Sequence, residues 1–178
     1  MLHRLKPHPD TPSSAVAGLA AEVQRPESGL LTLRYVLTGA LGNIILPPRA
    51  PSVRADDLWR HTCFEAFAQA SPGPGYVELN LAPSTQWAAY RFDGYRAGMA
   101  PASVPAPTVE AGDSFVLTAT LDLGFALPRD APWLLGLTAV IEETGGRMSY
   151  WALAHPPGKP DFHHADCFAL QLPPPDRP

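Results

Sequence analysis

Hydrophobic and polar residues alternate along many short stretches of this chain, which is the pattern of β-strands with one buried face. In YVELNL, residues 76–81, valine and leucine take every second position, and Tyr76, Glu78 and Asn80 lie between them. Nine such stretches are predicted as strands: 14–24, 29–39, 61–69, 75–82, 85–92, 114–123, 133–142, 147–153 and 166–172. The alternation therefore predicts an all-β fold without long helices.

Turn-forming residues separate neighbouring strands, so strands adjacent in sequence are predicted to pair antiparallel. The four turns are RPESG at 25–29, SPGPG at 71–75, APST at 82–85 and ETGGR at 143–147. The proline-rich stretch 40–60 is predicted to cross between strands, with one short strand at 43–46. The stretch APASVPAPTV, residues 100–109, is predicted as a loop.

The composition indicates one domain with a single core. The 178 residues are 46% hydrophobic, and 22 prolines and 14 glycines are spread along the chain instead of marking one linker. This distribution favours a single-domain antiparallel β-sandwich. The predicted domain spans residues 1–172, and residues 173–178 are predicted to form a flexible proline-rich tail.

Charge and hydropathy argue against nucleic acid and a membrane as partners. The net charge is −4, and no cluster of lysine and arginine offers the basic surface that nucleic acid requires. No apolar run approaches the roughly 20 residues that span a bilayer, and no secretory signal is visible. A cytoplasmic location is therefore predicted, in which Cys63 and Cys167 are reduced thiols.

One face of the meander formed by strands 61–69, 75–82 and 85–92 is predicted to be chemically mixed. The residues assigned to it are His61, Cys63, Glu65, Phe67, Gln69, Tyr76, Glu78, Asn80, Trp87, Ala89 and Arg91. Such a face can be an ordinary solvent face with cross-strand ion pairs. Aromatic rings interleaved with single polar groups are also the composition of a ligand site. A sugar ring stacks on an indole, here Trp59 or Trp87, and its hydroxyls bond to carboxylate, amide and guanidinium groups.

Three stretches of the chain resemble a known family. LWRHTCFEAF (58–67) and YVELNLAPSTQWAAYRFDGYR (76–96) resemble the central region of DOMON domains and of family-nine carbohydrate-binding modules. GLTAVIEETGGRMSYWALAHPPGKPDFHHADCFALQL (136–172) resembles the intracellular bacterial DOMON-like proteins. The resemblance implies a β-sandwich of jelly-roll type with a binding site on a concave face or at its rim.

The resemblance also implies particular contact residues. In the sugar-binding modules a tryptophan six residues before a strand glutamate contacts sugar, and Trp59 and Glu65 have that spacing. Polar residues two apart on the following strand also bind sugar there, as Glu78 and Asn80 would here. The family position of Glu78 is more often basic, and Arg91 would supply that charge. Trp151 is the candidate for the second stacking tryptophan.

Other DOMON domains bind haem b between a methionine and a histidine or lysine, which makes haem the alternative cofactor. The resemblance offers Met99 or Met148 on one side. His155, His163 or His164 would lie opposite.

Two further groups of residues suggest enzymatic chemistry. DFHHADC, residues 161–167, contains candidate metal ligands, of which His163 and Asp166 are the principal ones. A polar turn before the last strand is the competing interpretation. Glu65 and Glu78 are a candidate glycosidase pair if the strands hold them at the required separation.

The resulting prediction is non-catalytic binding of a small ligand, most simply a saccharide or sugar-containing metabolite. The predicted binding residues are Trp59, Glu65, Glu78, Asn80, Trp87, Arg91 and Trp151. No cofactor is needed for this function. A haem-b redox module and a metal-dependent enzyme using residues 161–167 are the alternatives.

Overall fold

A computed structural model describes residues 1–27, 29–71, 73–112 and 115–174 of the chain. Its strands are β1 (Leu2–Pro7), β2 (Val16–Gln24), β3 (Leu30–Gly39), β4 (Cys63–Ala70), β5 (Tyr76–Leu81), β6 (Trp87–Phe92), β7 (Ala100–Pro101), β8 (Thr108–Ala111), β9 (Val116–Asp122), β10 (Trp133–Glu143), β11 (Arg147–Ala152) and β12 (Leu170–Leu172). Helical structure in the described residues is limited to three 3-10 turns, at 41–43, 58–60 and 165–167.

The strands form one curled antiparallel sheet. Their order is β7-β6-β5-β4-β10-β11-β1-β2-β3-β9-β8, and β12 pairs with one end of β10. β1 pairs with β2 along most of its length and with β11 at its end, through Lys6 and Pro7. The all-β antiparallel prediction is confirmed. The two separate sheets of a sandwich are not, because β1 joins the two halves.

The two halves of the sheet face each other across the main core. In β3, Leu31, Leu33, Tyr35 and Leu37 occupy alternate positions and are buried. They pack in one cluster with alternate residues of β4, β5 and β10 from the other half. Period-two burial of this kind explains why the hydrophobic pattern predicted the strands correctly.

Tyr35 connects the halves by more than apolar contact. Its ring lies 5.0 Å from that of Phe64, and its hydroxyl donates a 2.6 Å hydrogen bond to the backbone carbonyl of Glu65. Burial is the main cause that raises the pKa of this hydroxyl well above its usual value. Tyr35 therefore holds β3 against the strand that carries a predicted site residue.

We expect Tyr35→Phe to lower the free energy of unfolding by about 1–2 kcal/mol, because the Glu65 carbonyl loses a buried donor. Urea denaturation measures this change. Tyr150→Phe is the matched control, since the Tyr150 hydroxyl makes no hydrogen bond within the described residues. Equal losses in both variants would contradict the connecting role of Tyr35.

The predicted elements differ from the observed ones mainly near the chain ends and in proline-rich stretches. β1 was not predicted, and β7 and β8 begin within the stretch 100–109 that was predicted as a loop. The predicted strand at 166–172 begins only at Leu170, after a 3-10 turn. The predicted strand at 43–46 is a single bridge from Ile44 to Glu143.

Parts of four predictions fall outside the described residues. These are residue 28 of the predicted turn 25–29, residue 72 of the predicted turn 71–75, residue 114, where one strand was predicted to begin, and residues 175–178 of the predicted tail. The single domain over residues 1–172 stays a prediction. In the described part of the chain, no helix has the length and apolar character needed to cross a bilayer.

Candidate functional site

The side of β4, β5, β6 and β10 that faces away from the main core carries a group of buried polar side chains. We call it the outer face, and its polar members are Cys63, Glu65, Glu78, Asn80 and Thr138. The strand register brings them together, because Glu65 pairs with Asn80 on β5 and with Thr138 on β10. Glu78 lies two residues from Asn80 on the same side of β5. The predicted grouping of Glu65, Glu78 and Asn80 agrees with this register.

Trp87 and Arg91 do not share the outer face, so the prediction that they lie beside Glu78 was wrong. Leu81 pairs with Trp87 and Val77 pairs with Arg91, which places both on the side of the main core. Trp87 is buried there. Arg91 reaches solvent at the sheet edge and pairs with Asp93 at 2.9 Å.

Trp151 also lies on the core side. It pairs with Ala139 of β10, is 3% exposed, and donates a 3.1 Å hydrogen bond from Nε1 to Ser149. A side chain in this position cannot stack on a ligand at the outer face. The family likeness had offered Trp151 as a second stacking tryptophan, and its burial removes it from that role.

Trp59 is the predicted tryptophan that remains on the outer-face side. It lies in the 3-10 turn 58–60, which contacts β4 and β5, and its neighbour Leu58 packs against aromatic residues of the outer face. The Trp59 side chain is 47% exposed. The Arg60 guanidinium lies 5.1 Å from its ring centre.

Hydrogen bonds connect the polar side chains within the outer face. Asn80 donates from Nδ2 to Glu78 Oε1 at 2.7 Å, and Thr138 donates from Oγ1 to Glu65 Oε2 at 3.2 Å. The Cys63 thiol lies 3.9 Å from Asn80 Oδ1. Glu65 is 3% exposed, Glu78 6% and Asn80 0%. The polar group is therefore almost completely withdrawn from solvent.

Burial dominates the electrostatics of this group. It raises the pKa of Glu65 well above the usual value for a glutamate, and the nearby Glu78 charge raises it further. Burial also raises the pKa of Glu78, and the Asn80 hydrogen bond and Arg96 partly offset the effect. Perturbed carboxyls of this kind concentrate at functional sites.

Aromatic rings surround the polar group on the outer face. Tyr76 and Phe92 stack with ring centres 4.8 Å apart, and Phe67 lies 6.3 Å from Tyr76. Tyr90, paired with Glu78, donates its hydroxyl to Asp56. The face thus combines an aromatic surface with a few convergent polar groups, which is the composition of a ligand site.

The segment after β11 covers this face, and we call residues 153–169 the covering loop. Its Phe162 and Phe168 pack into the aromatic cluster. The loop backbone approaches β10 closely, since a Cβ on Gly136 would lie 3.0 Å from the Cys167 carbonyl oxygen. Glycine at that position allows the loop to lie flat on the sheet.

Asp161 fastens the covering loop to the turn that follows β6. It accepts hydrogen bonds from Arg96 at 2.7 Å and from the Tyr95 hydroxyl at 2.6 Å. It also accepts the backbone amide of His163 at 3.2 Å. The Tyr95 and Arg96 hydrogen bonds lower the pKa of Asp161 against the opposing effect of burial. This contact fixes the loop at the Tyr76 end of β5.

His163 places an imidazole between the loop and the polar group. Its Nδ1 lies 2.7 Å from the Tyr76 hydroxyl and its Nε2 lies 3.8 Å from Glu78 Oε2. Burial lowers the pKa of His163 to about 4, and the Arg96 charge contributes. His163 is thus neutral near pH 7. The Tyr76 hydroxyl accepts the Arg96 amide at 3.3 Å, which agrees with a His163 tautomer in which Nδ1 accepts from Tyr76 and Nε2–H faces Glu78.

The structure does not assemble the predicted metal ligands of the segment 161–167. His163 contacts Tyr76, whereas His164 Nδ1 accepts the backbone amide of the exposed Asp166 at 3.3 Å. Across the described ranges, no group of three or more His, Cys, Asp or Glu side chains is arranged to hold a metal ion. The geometry agrees with the competing interpretation of this segment as a polar turn.

The haem candidates are distributed over different environments. Met99 is 56% exposed, whereas Met148 packs against the aromatic cluster. His155 donates through Nε2 to the Lys6 carbonyl at 2.9 Å. Haem binding stays a prediction.

Two cavities lie away from the outer face. The first is lined by Val23, Gln24, Arg25, Pro26, Leu172, Pro173 and Pro174. The second is lined by Leu37, Leu46, Phe64, Pro83, Ala111, Gly112, Phe115, Val116 and Leu117. Neither includes a predicted binding residue.

Sequence reasoning missed the residues that close the outer face. Thr138 contacts Glu65, Tyr90 packs in the aromatic cluster of the outer face, and the Arg96–Asp161 contact holds its cover. Phe162 and Phe168 were the available signal, because two phenylalanines in an otherwise polar segment predict that the segment packs on a surface.

Comparison with solved structures shows a protein of similar fold. A "putative carbohydrate-binding protein" from Bacteroides uniformis has a similar structure, with a TM-score of 0.64 over 94% of this chain and 83% of that chain. The two sequences are 13% identical, so the similarity shows the fold alone. Neither a family model nor a curated protein matches the chain. The resemblance to DOMON domains and family-nine modules stays a prediction.

Proposed function

We propose that this protein binds a saccharide, without catalysing its conversion, on the outer face beside Trp59. Trp59 supplies the stacking ring, and Glu78 and Asn80 supply hydrogen-bonding groups. The observation that carries the proposal is the burial of Glu65, Glu78 and Asn80 as one group among aromatic rings. Buried carboxyls without a cationic partner cost stability, so such a group is better explained by a ligand than by folding.

Two observations support a saccharide as the ligand. Sugar rings present C–H groups that pack on aromatic surfaces, and their hydroxyls pair with carboxylate and amide groups. The Bacteroides uniformis protein of similar fold carries a carbohydrate-binding description. Both agree with the predicted saccharide.

Access to the polar group involves the covering loop. Glu78 and His163 are the points where the group comes nearest to solvent, with side chains 8% and 15% exposed. The ligand stacks on Trp59 at the rim and reaches Glu78 as the loop moves aside. The Asp161 contacts with Tyr95 and Arg96 are the ones that such a movement breaks.

We expect Trp59→Ala to weaken saccharide binding about tenfold, because the loss of one stacked ring costs roughly 1–1.5 kcal/mol. Isothermal titration calorimetry against a panel of mono- and disaccharides measures the change. Trp59 is exposed, so the variant keeps the fold.

Arg91→Ala is the matched control for this measurement. Arg91 lies on the opposite side of β6, so we expect wild-type affinity in that variant. Wild-type affinity in Trp59→Ala, or an equal loss in Arg91→Ala, would remove the outer face as the binding site.

A further inference from the structure

Glu65 and Glu78 are two buried carboxyls without a lysine or arginine partner among the described residues. Glu65 accepts only from the Thr138 hydroxyl, at 3.2 Å. Glu78 accepts from the Asn80 amide at 2.7 Å, and its other neighbour is His163 Nε2 at 3.8 Å. Within the described part of the chain, neither carboxyl therefore has a direct ion pair with a lysine or arginine.

The nearest cationic side chains supply only part of the charge compensation, because the Arg96 charge acts on Glu78 alone and does not bring its pKa back to the usual value. His163 is neutral at pH 7, because burial lowers its pKa to about 4. Arg96 forms its ion pair with Asp161 at 2.7 Å. At the other side of the face, Asp56 accepts from Tyr90 and adds a further negative charge. The outer face therefore carries more acidic groups than basic ones.

The same group has open acceptor positions. Glu65 Oε1 has no hydrogen-bond partner within the described part of the chain, although Glu65 is only 3% exposed. The fully buried Asn80 has its Oδ1 in contact only with the Cys63 thiol, at 3.9 Å. Glu78 Oε2 faces His163 without a close hydrogen bond. Three acceptors on one face are left for a ligand with several donors.

Strand geometry places these acceptors within reach of one small group. Glu65 is directly opposite Asn80, and Glu78 is its diagonal neighbour. Diagonal partners in an antiparallel pair lie roughly 7–8 Å apart at Cα, a span that two glutamate side chains close easily. An ammonium group has three N–H donors and a positive charge.

We propose that the group bound deepest on this face is a protonated amine held between Glu65 and Glu78. This inference rests on the proposed function and narrows the ligand to a sugar with a free amino group. A neutral sugar supplies no charge that would favour the ionised carboxylates. A uronate or phosphorylated sugar brings a negative charge that opposes their ionisation, so we expect it to bind less tightly than the amine.

Amine binding is expected to release protons from Glu65 and Glu78. Burial raises the pKa of both carboxyls, so the free protein retains protons on the pair at pH values where exposed glutamates are ionised. A bound ammonium favours the ionised carboxylates, and the released protons pass to the buffer. Affinity for the amine therefore rises with pH over the range in which the free pair loses its protons.

The test is titration calorimetry of the full chain with glucosamine, glucose and N-acetylglucosamine at pH 7. Each titration is repeated in phosphate and in Tris, whose ionisation enthalpies differ. We expect glucosamine to bind at least tenfold more tightly than the other two, with proton release seen as a buffer-dependent enthalpy. Glu65→Gln and Glu78→Gln keep the side-chain shape, and each should remove this preference, so that glucosamine and glucose bind with about equal affinity. Arg91→Ala should retain the preference.

The results of these titrations distinguish failure of the amine site from failure of saccharide binding. Equal affinity for glucose and glucosamine, or a preference that survives in both glutamine variants, overturns the amine site and leaves saccharide binding intact. Failure of all three sugars to bind also overturns the amine site. Saccharide binding is then decided by the wider panel and Trp59→Ala.

Discussion

Lowering the pH from 7 to 4 is expected to reduce the stability of the protein by about 3 kcal/mol through His163 alone. The folded-state pKa of His163 is about 4, whereas an unfolded histidine titrates near 6.5. Between these values the unfolded chain binds a proton that the folded chain does not bind. The free energy of unfolding therefore falls as the pH falls through this window, by roughly 1.36 kcal/mol for each pKa unit.

Other groups with shifted pKa values also change the stability as the pH is lowered. The lowered pKa values of Glu143 and Asp161 add to the acid destabilisation. The raised pKa values of Glu65 and Glu78 oppose it, because those carboxyls favour the folded state below their usual pKa and lose that contribution as the pH rises. A comparison with a variant is needed to isolate His163.

His163→Phe provides that comparison. Phenylalanine keeps an aromatic ring beside Phe67 and Phe92 but does not titrate. Urea denaturation of both proteins at pH 7, 6, 5 and 4 should show a difference in unfolding free energy that changes by about 3 kcal/mol over the series. A difference that is constant with pH would show that His163 is not buried in its neutral form.

Trp133→Ala is expected to destabilise the protein by about 3–5 kcal/mol, the range for removing a large aromatic side chain from a core. Trp133 is 0% exposed at the start of β10 and pairs with both Ala70 and Leu172. Its Nε1 donates to the Pro128 carbonyl at 3.0 Å, and the Arg25 guanidinium lies 3.6 Å from its ring centre. The substitution removes the buried ring together with its hydrogen bond to Pro128 and its contact with Arg25, while the strand pairing of the backbone can remain.

Trp59→Ala is the matched control for this stability measurement. Both substitutions delete an indole, but Trp59 is 47% exposed and lies outside the main core. We expect its cost to remain below about 1 kcal/mol in thermal or urea denaturation. A large loss of stability in Trp59→Ala would mean that this residue is structural, and would weaken its assignment as the stacking ring.

The error over Trp87 and Arg91 shows that alternation within one strand does not determine which of its sides lies beside the polar side of the next strand. Alternation within β6 correctly separates Trp87 and Arg91 from Tyr90, but it does not decide which set lies beside Glu78. That choice depends on the turn between β5 and β6, where Ala82 donates to the Gln86 carbonyl and Thr85 has a φ of 78°. A shift of one residue in that turn would move every side chain of β6 to the other face.

The grouping of Glu65, Glu78 and Asn80, in contrast, was predictable from the hydrophobic pattern of β4 and β5. Both strands alternate strongly, and burial of Phe64 and Leu79 on the core side forces the polar residues outward together. The cover over them was not predictable. Its residues come from position 153 onward, more than seventy residues from Glu78, and no local pattern states which surface they pack on.

By itself, the sequence determined that this protein is an antiparallel all-β fold and where most of its strands lie, because burial with a period of two is a local property of the chain. It also determined that β4 and β5 each have an apolar side and a polar side. Only the tertiary structure decided that the polar side is covered, that Trp87 and Trp151 belong to the core, and that His163 and Asp161 close the outer face. These features depend on register and long-range packing, which are set by contacts between residues far apart in the chain.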